Sequence, residues 1–189
     1  RGGRFRNVLL GLVVVPFFTN FLIRTLAWKT ILGSEGPVVG LLRAVGVLGA
    51  NGALLRTPIA VIGGLTYNFL PFMVLPIYVS LEKIDPRLLD AARDLYSNTW
   101  RGFRKVIVPL SLPGVFAGSL LVFIPAAGDF VNAYYLGSAR TTMIGNVVQD
   151  QFLVQNNYPV AAALSFVFIA IVMVIVGVYS RLLGTEELV

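Results

Sequence analysis

The chain has 189 residues, of which 57% are hydrophobic and 13% charged, against about a quarter charged in ordinary soluble domains. A water-soluble fold of this size could not hide so much apolar side chain, because much of a small domain faces solvent. Cysteine and histidine are both absent, which excludes thiolate and imidazole metal sites, nucleophilic cysteines and histidine-based serine hydrolases.

Arg1, Arg4 and Arg6 open the chain as a basic cluster. The apolar stretch behind them is too long for a signal peptide and has no small-residue cleavage site, so the start is expected to lie inside a longer protein, after an earlier span. Four segments are long and apolar enough to cross a hydrocarbon core of about 30 Å, which takes about 20 helical residues. They are residues 8–23, 57–81, 106–128 and 160–180. Arg24 and Lys29 follow the first and are expected to snorkel to the interface beside Trp28. The expected fold is therefore an all-α, polytopic transmembrane bundle.

Pro16, Pro71, Pro76, Pro109, Pro113 and Pro125 fall within these spans. Each removes a backbone donor, and broken helices often line cavities in membrane proteins. Pro71 and Pro125 have polar residues close by and are the candidates for cavity lining. The plainer alternative is that membrane helices tolerate proline.

The formal charge of +6 reads as topological rather than nucleic-acid-binding, since no basic stripe interleaved with aromatics is present. Lys83, Arg87, Arg93, Arg101, Arg104 and Lys105 crowd the segment between the second and third spans, while Arg43, Arg56 and Arg140 lie on the opposite side. Lys and Arg collect in cytoplasmic loops. Segment 83–105 and both chain ends are accordingly expected in the cytoplasm, with the chain in a cell membrane.

That segment also encodes a short helix over residues 85–98. Asp85 can cap free amides and Pro86 suits the first turn. Leu88, Leu89, Ala92, Leu95 and Tyr96 then form one apolar stripe, opposite Arg87, Asp90, Arg93, Asp94 and Ser97. Such a helix can lie flat on a membrane or dock on a protein. Its mixed-charge face and the small Ala91 and Ala92 favour docking. Thr99 can start a further helix running into the third span.

Segment 90–109 resembles the EAA loop of binding-protein-dependent ABC permeases. The family pattern is Glu-Ala-Ala, three residues, Gly, nine residues, Ile, one residue, Leu-Pro. Asp90, Ala91, Ala92, Tyr96, Val106, Val108 and Pro109 stand at the matching positions, with Asp94 inside the loop. Tyr96 in place of glycine is the departure. The stretches LEKIDPRLLDAARDL, VPLSLPGVFAGSLLVFIPAAGDFV and MIGNVVQDQF are similar to the spermidine/putrescine permease subfamily. Iron, sulfate and phosphonate permeases share much of this layout.

The resemblance implies the last four of six spans of a permease domain over residues 1–189, with residues 85–98 as the coupling helix. It implies a bacterial plasma-membrane importer working by alternating access, with no catalytic site and no cofactor of its own. ATP and Mg would be used by a partner ATPase dimer. A second permease subunit forming a heterodimer and an extracytoplasmic solute-binding protein complete the implied assembly. An ATP-independent carrier or channel, or an aspartate-based membrane enzyme, remains open on the residues alone.

Substrate-path candidates come from the residues themselves. Asp129 follows Pro125 and Gly128 beside Asn132, Tyr134 and Tyr135. A carboxylate near membrane depth is costly and marks function by default, and aromatics beside it suit a cation. A solvated loop is the alternative. Tyr67 and Asn68, near Pro71, are further candidates, or interhelical glue.

Overall fold

The computed structural model describes residues 3–49, 51–95 and 99–183. Helix α1 spans Gly3–Val14 and passes into a 3₁₀ turn, Val15–Phe18. Pro16 sits in that turn, and Asn20 caps the next helix by accepting from the Leu22 amide at 2.9 Å. A proline that cannot continue the ladder and a capping residue four positions on stop one helix and start another. Helix α2, Phe21–Ile31, leaves at 102° to the preceding segment. The first expected span is thus broken, not straight.

Arg24 does not snorkel. It is only 7% exposed, with its guanidinium carbon 4.6 Å from the centre of the Phe17 ring. The bend folds Phe17 back over α2, and the ring face offers the cation an attraction of about 0.5–2 kcal/mol. Its Nε has no hydrogen-bond partner among the described residues.

Helix α3, Pro37–Ala44, lies in the loop that follows. Arg43 pins this loop by donating to the carbonyls of Ser34 and Gly52, both at 3.0 Å. Helix α4, Pro58–Glu82, starts on the Thr57 cap, whose hydroxyl oxygen accepts from Ala60. Helix α5 spans Pro86–Leu95, and α6 is the single turn Thr99–Gly102. A π turn, Phe103–Ile107, joins α6 to α7, Val108–Ala127. Pro109, just beyond, cannot donate to the ladder, and a wider turn next to it absorbs the mismatch. Short helices α8, Val131–Leu136, and α9, Ile144–Gln149, precede the long α10, Tyr158–Leu183.

Among the described residues, three stretches are long and apolar enough to cross a membrane as single helices: Pro58–Glu82, Trp100–Ala127 and Tyr158–Arg181. The bent α1–α2 pair is a fourth if it counts as one span. The prolines break less than expected. Pro71, Pro76, Pro113 and Pro125 all lie inside continuous helices, with Pro71 buried in packing and Pro125 on an exposed face.

The α4–α7 pair is the spine of the fold, and glycine makes it close. A β-carbon on Gly114 would stand 2.6 Å from the Pro76 carbonyl oxygen, and one on Gly118 would stand 2.9 Å from the Met73 sulfur. These two glycines, four apart, form the small-residue stripe that lets membrane helices approach backbone to backbone. At one end of the spine, Leu32, Ala60, Val61, Ala133 and Leu136 form a buried apolar cluster. At the other, Arg6 pairs with Glu82 at 3.2 Å, placing the start of α1 beside the end of α4. The basic N-terminal segment and α5 therefore share one end.

Candidate functional site

The sequence offered two regions, one at each end of the spine. At the Asp129 end, the structure unites three of the four path candidates and adds a residue not foreseen. Gly128 ends α7, and Asp129 follows it, 8% exposed. Its Oδ1 accepts from the Asn132 backbone amide at 2.8 Å, and its Oδ2 from the Asn132 side-chain amide at 3.1 Å. Asp129 thereby caps α8 and holds Asn132 in place. Asn132 in turn accepts through Oδ1 from Asn68 Nδ2 on α4 at 3.0 Å. The same Nδ2 donates to Thr25 Oγ1 on α2 at 3.2 Å, and the Thr25 hydroxyl donates to the Phe21 carbonyl at 3.1 Å.

The direction of this chain is forced. An ionised carboxylate only accepts, so Asn132 must turn its NH2 to Asp129 and its oxygen to Asn68. Asn68 must then present its NH2, which leaves its own Oδ1 aimed elsewhere. Among the described residues that buried oxygen has no partner, an omission worth about 1–3 kcal/mol. Asn68 and Asn132 are 1% and 0% exposed, so the chain is dry within the subunit.

Burial pushes the Asp129 carboxyl above the ordinary carboxylate range, and the two hydrogen bonds from Asn132 pull part of the way back. Asp129 is thus not a solvated loop residue. Gly64 on α4 leaves room for the arrangement, because a β-carbon there would meet the Leu136 side chain and stand 2.9 Å from Asn132 Oδ1.

The fourth candidate is elsewhere. Tyr67 meets Trp28 in a tilted contact, ring centres 5.4 Å apart at 60°, and is not one of the side chains joined through Asn68 and Asn132. The aromatics beside Asp129 are also occupied: Lys29 Nζ lies 5.7 Å from the centre of Tyr135, and Tyr134 meets Tyr135 edge-on. Tyr134 also lines a cavity of about 420 Å³ with Arg56, Ser138, Thr142 and Asn146. Thr25 escaped notice because a lone threonine in an apolar helix usually bonds its own backbone. Its position after Arg24, at a proline-broken span, was the available signal.

At the other end, Asp85 accepts from the Arg87 amide at 2.8 Å and starts α5 as its sequence suggested. Asp90 and Ala91 are exposed, whereas Ala92 is buried on the side of Gly102, where an added β-carbon would stand 3.9 Å from its own. The two alanines therefore do different things: Ala92 closes the turn between α5 and α6, and only Ala91 is open to a partner. Leu88 and Leu95 are exposed on the same short helix, as is Trp100, stacked at 5.5 Å on Phe103. Val106 lies half-buried in the π turn and Pro109 is exposed. The side chain of Asp94 and all of Tyr96, Ser97 and Asn98 lie outside the described residues.

Comparison with known proteins bears directly on this arrangement. Residues 1–184 match the family of binding-protein-dependent transport system inner membrane components. The chain belongs to that family. It is 46% identical to the spermidine/putrescine transport system permease protein PotB of Haemophilus influenzae, over 94% of the chain and 62% of that protein. Against the Escherichia coli protein of the same name it is 43% identical, over 96% of the chain and 67% of the relative. An inner membrane ABC transporter permease protein of Escherichia coli, YdcU, is 32% identical over 90% of the chain and 58% of its own length. The chain thus spans about three-fifths to two-thirds of the length of these relatives. Its three to four apolar helices suit an inner-membrane component.

Proposed function

We propose that this chain is a transmembrane permease subunit of an ATP-binding-cassette importer that moves polyamines such as spermidine and putrescine into a bacterial cell. The observation that carries this reading is the 46% identity, over 94% of the chain, to a permease named for spermidine/putrescine transport. The chemistry of the Asp129 end supports it. A buried carboxylate between two helices suits a cation, and at 4 Å an ion pair worth about 1 kcal/mol in water gains several-fold when partly desolvated.

The α5 end is the coupling element. Leu88, Ala91, Leu95 and Asp90 form a surface for a cytoplasmic ATPase dimer, which would bind ATP and Mg and hydrolyse the nucleotide. A second permease subunit forms the other half of the pore, and an extracytoplasmic binding protein delivers the solute. Segment 83–105 and both ends of the chain face the cytoplasm, by the excess of bases there. The pairing of Arg6 with Glu82 supports the common side of the first of these.

Two experiments test this. In the assembled transporter in proteoliposomes, Asp129→Asn keeps the volume and removes the charge together with one of the two acceptors of Asn132. It is expected to lower spermidine uptake at least tenfold while sparing assembly and basal ATP hydrolysis; uptake at the wild-type rate returns Asp129 to a purely structural role. For topology, the chain contains no native cysteine, so single cysteines report cleanly. An impermeant thiol reagent applied to intact cells should label Glu35→Cys and not Arg101→Cys, and the reverse pattern inverts the orientation.

A further inference from the structure

Resting on the reading of Asp129 as a cation-contacting group, we propose that Thr25 is a positioning residue. Acting through Asn68 and Asn132, it keeps Asp129 latched until a substrate ammonium takes the place of the Asn132 amide. Both carboxylate oxygens are engaged by Asn132, one through the backbone at 2.8 Å and one through the side chain at 3.1 Å. A cation approaching Asp129 therefore meets a group whose second oxygen is already in use. The backbone bond belongs to the start of α8 and can persist. The side-chain bond is the exchangeable one.

Exchange is favoured on chemical grounds, since an ammonium donor to a carboxylate is roughly twice as strong as a neutral amide donor. Restraint comes from the remainder of the chain. Asn132 cannot swing away while its Oδ1 is held by Asn68 at 3.0 Å, and Asn68 is held in that rotamer by Thr25 Oγ1 at 3.2 Å. Among the described residues this rotamer leaves Asn68 Oδ1 buried with no donor. Any opening that brings water or a substrate N–H to that oxygen relieves the omission. The closed arrangement depends on both the Asn68–Asn132 and the Asn68–Thr25 bonds. It also ties the site to α2, the half-span set at 102° to its neighbour.

Thr25 is fully buried and touches no part of Asp129, so it can be changed without altering the cation-contacting groups. Thr25→Val retains the shape and deletes the oxygen that holds Asn68. In the assembled transporter, with spermidine as the probe, it is expected to lower the KM for uptake about threefold with the maximal rate unchanged. Thr25→Ser, which restores the hydroxyl, should return KM to the wild-type value. A merely structural role predicts the opposite: less recovered transporter and a lower maximal rate, with KM unchanged or raised. Thr25→Ala, smaller and equally without hydroxyl, serves as the second deletion should Thr25→Val not assemble.

Unchanged KM in a recovered deletion variant, an equal shift in Thr25→Ser, or failure of both deletions to assemble would each overturn the latch. The Asp129→Asn result separates the two ideas. Lost uptake in Asp129→Asn with wild-type KM in Thr25→Val removes the latch and keeps the cation site. Undiminished uptake in Asp129→Asn removes both.

Discussion

The two ends of the α4–α7 spine satisfy themselves to very different degrees. At the Asp129 end, four polar side chains from α2, α4, the α7–α8 turn and α8 bond one another beside a buried apolar cluster, Asn68 donating to both Thr25 and Asn132 and Asn132 donating to Asp129. At the α5 end, one alanine is tucked against Gly102 while Leu88, Leu95 and Trp100 stay exposed. The first end is closed by its own residues. The second presents apolar side chains that a soluble partner would cover. That asymmetry suits the importer proposed above, driven from one side and loaded from the other.

The comparison is most severely broken at the spine itself. Gly114→Leu would drive a side chain into the Pro76 carbonyl, a backbone atom that cannot step aside. Overpacking costs about 1–3 kcal/mol where neighbours can shift, so a loss of about 3 kcal/mol is expected here. Thermal unfolding in detergent and the amount of folded protein recovered would report it, and a stability equal to wild type would show that the helices are not in this register.

Within the α5 end, the two alanines separate packing from docking. Ala92→Phe should destabilise the α5–α6 turn by about 1–3 kcal/mol, because Ala92 is buried. Ala91→Phe, on the exposed face, should alter stability by no more than about 0.5 kcal/mol. It should nevertheless uncouple ATP hydrolysis from uptake in the assembled transporter. Coupled transport in Ala91→Phe would move the docking surface off this face of α5.

The smallest expected effect is a pH signature of the Asp129 end. Burial raises the Asp129 carboxyl above its ordinary range, so the folded state holds this proton more tightly than the unfolded chain. Its stabilising contribution is full below the unfolded value and is lost as pH rises through the raised folded value. Uptake, needing the anion, should move the other way and fall as pH drops through that same raised value. Asp129→Asn should flatten the stability profile. An unchanged profile in that variant would place the titrating group elsewhere.

Much of this was legible in the residues, and the exceptions share a cause. Helix α5 and its start at Asp85 and Pro86 could be read because caps and short-range periodicity are local. Asp129, Asn132 and Asn68 could be singled out because polar groups at span borders are conspicuous, but their union could not. It depends on a register between helices far apart in sequence, set by glycines such as Gly64 and Gly114. Arg24 was misplaced for the same reason: an arginine at the end of an apolar run normally reaches for water, and only the bend after Pro16 brings Phe17 over it. Ala92 looked like part of a flat outer face until Gly102 was seen against it. Small residues carry little pattern, and here they decide where everything else sits.

One consequence follows from the length of the helix that joins the two ends. Trp100–Ala127 is a 28-residue stretch, about 42 Å at 1.5 Å per residue, with the Ala92 contact near its start and Asp129 just past its tip. A tilt of only about 5° about the first point displaces the far tip by about 4 Å on that length. That travel exceeds the 3.0 Å between Asn68 on α4 and Asn132 just beyond the tip. Pressure on α5 thus has a lever arm long enough to part a hydrogen bond at the opposite face with no helix unwinding between.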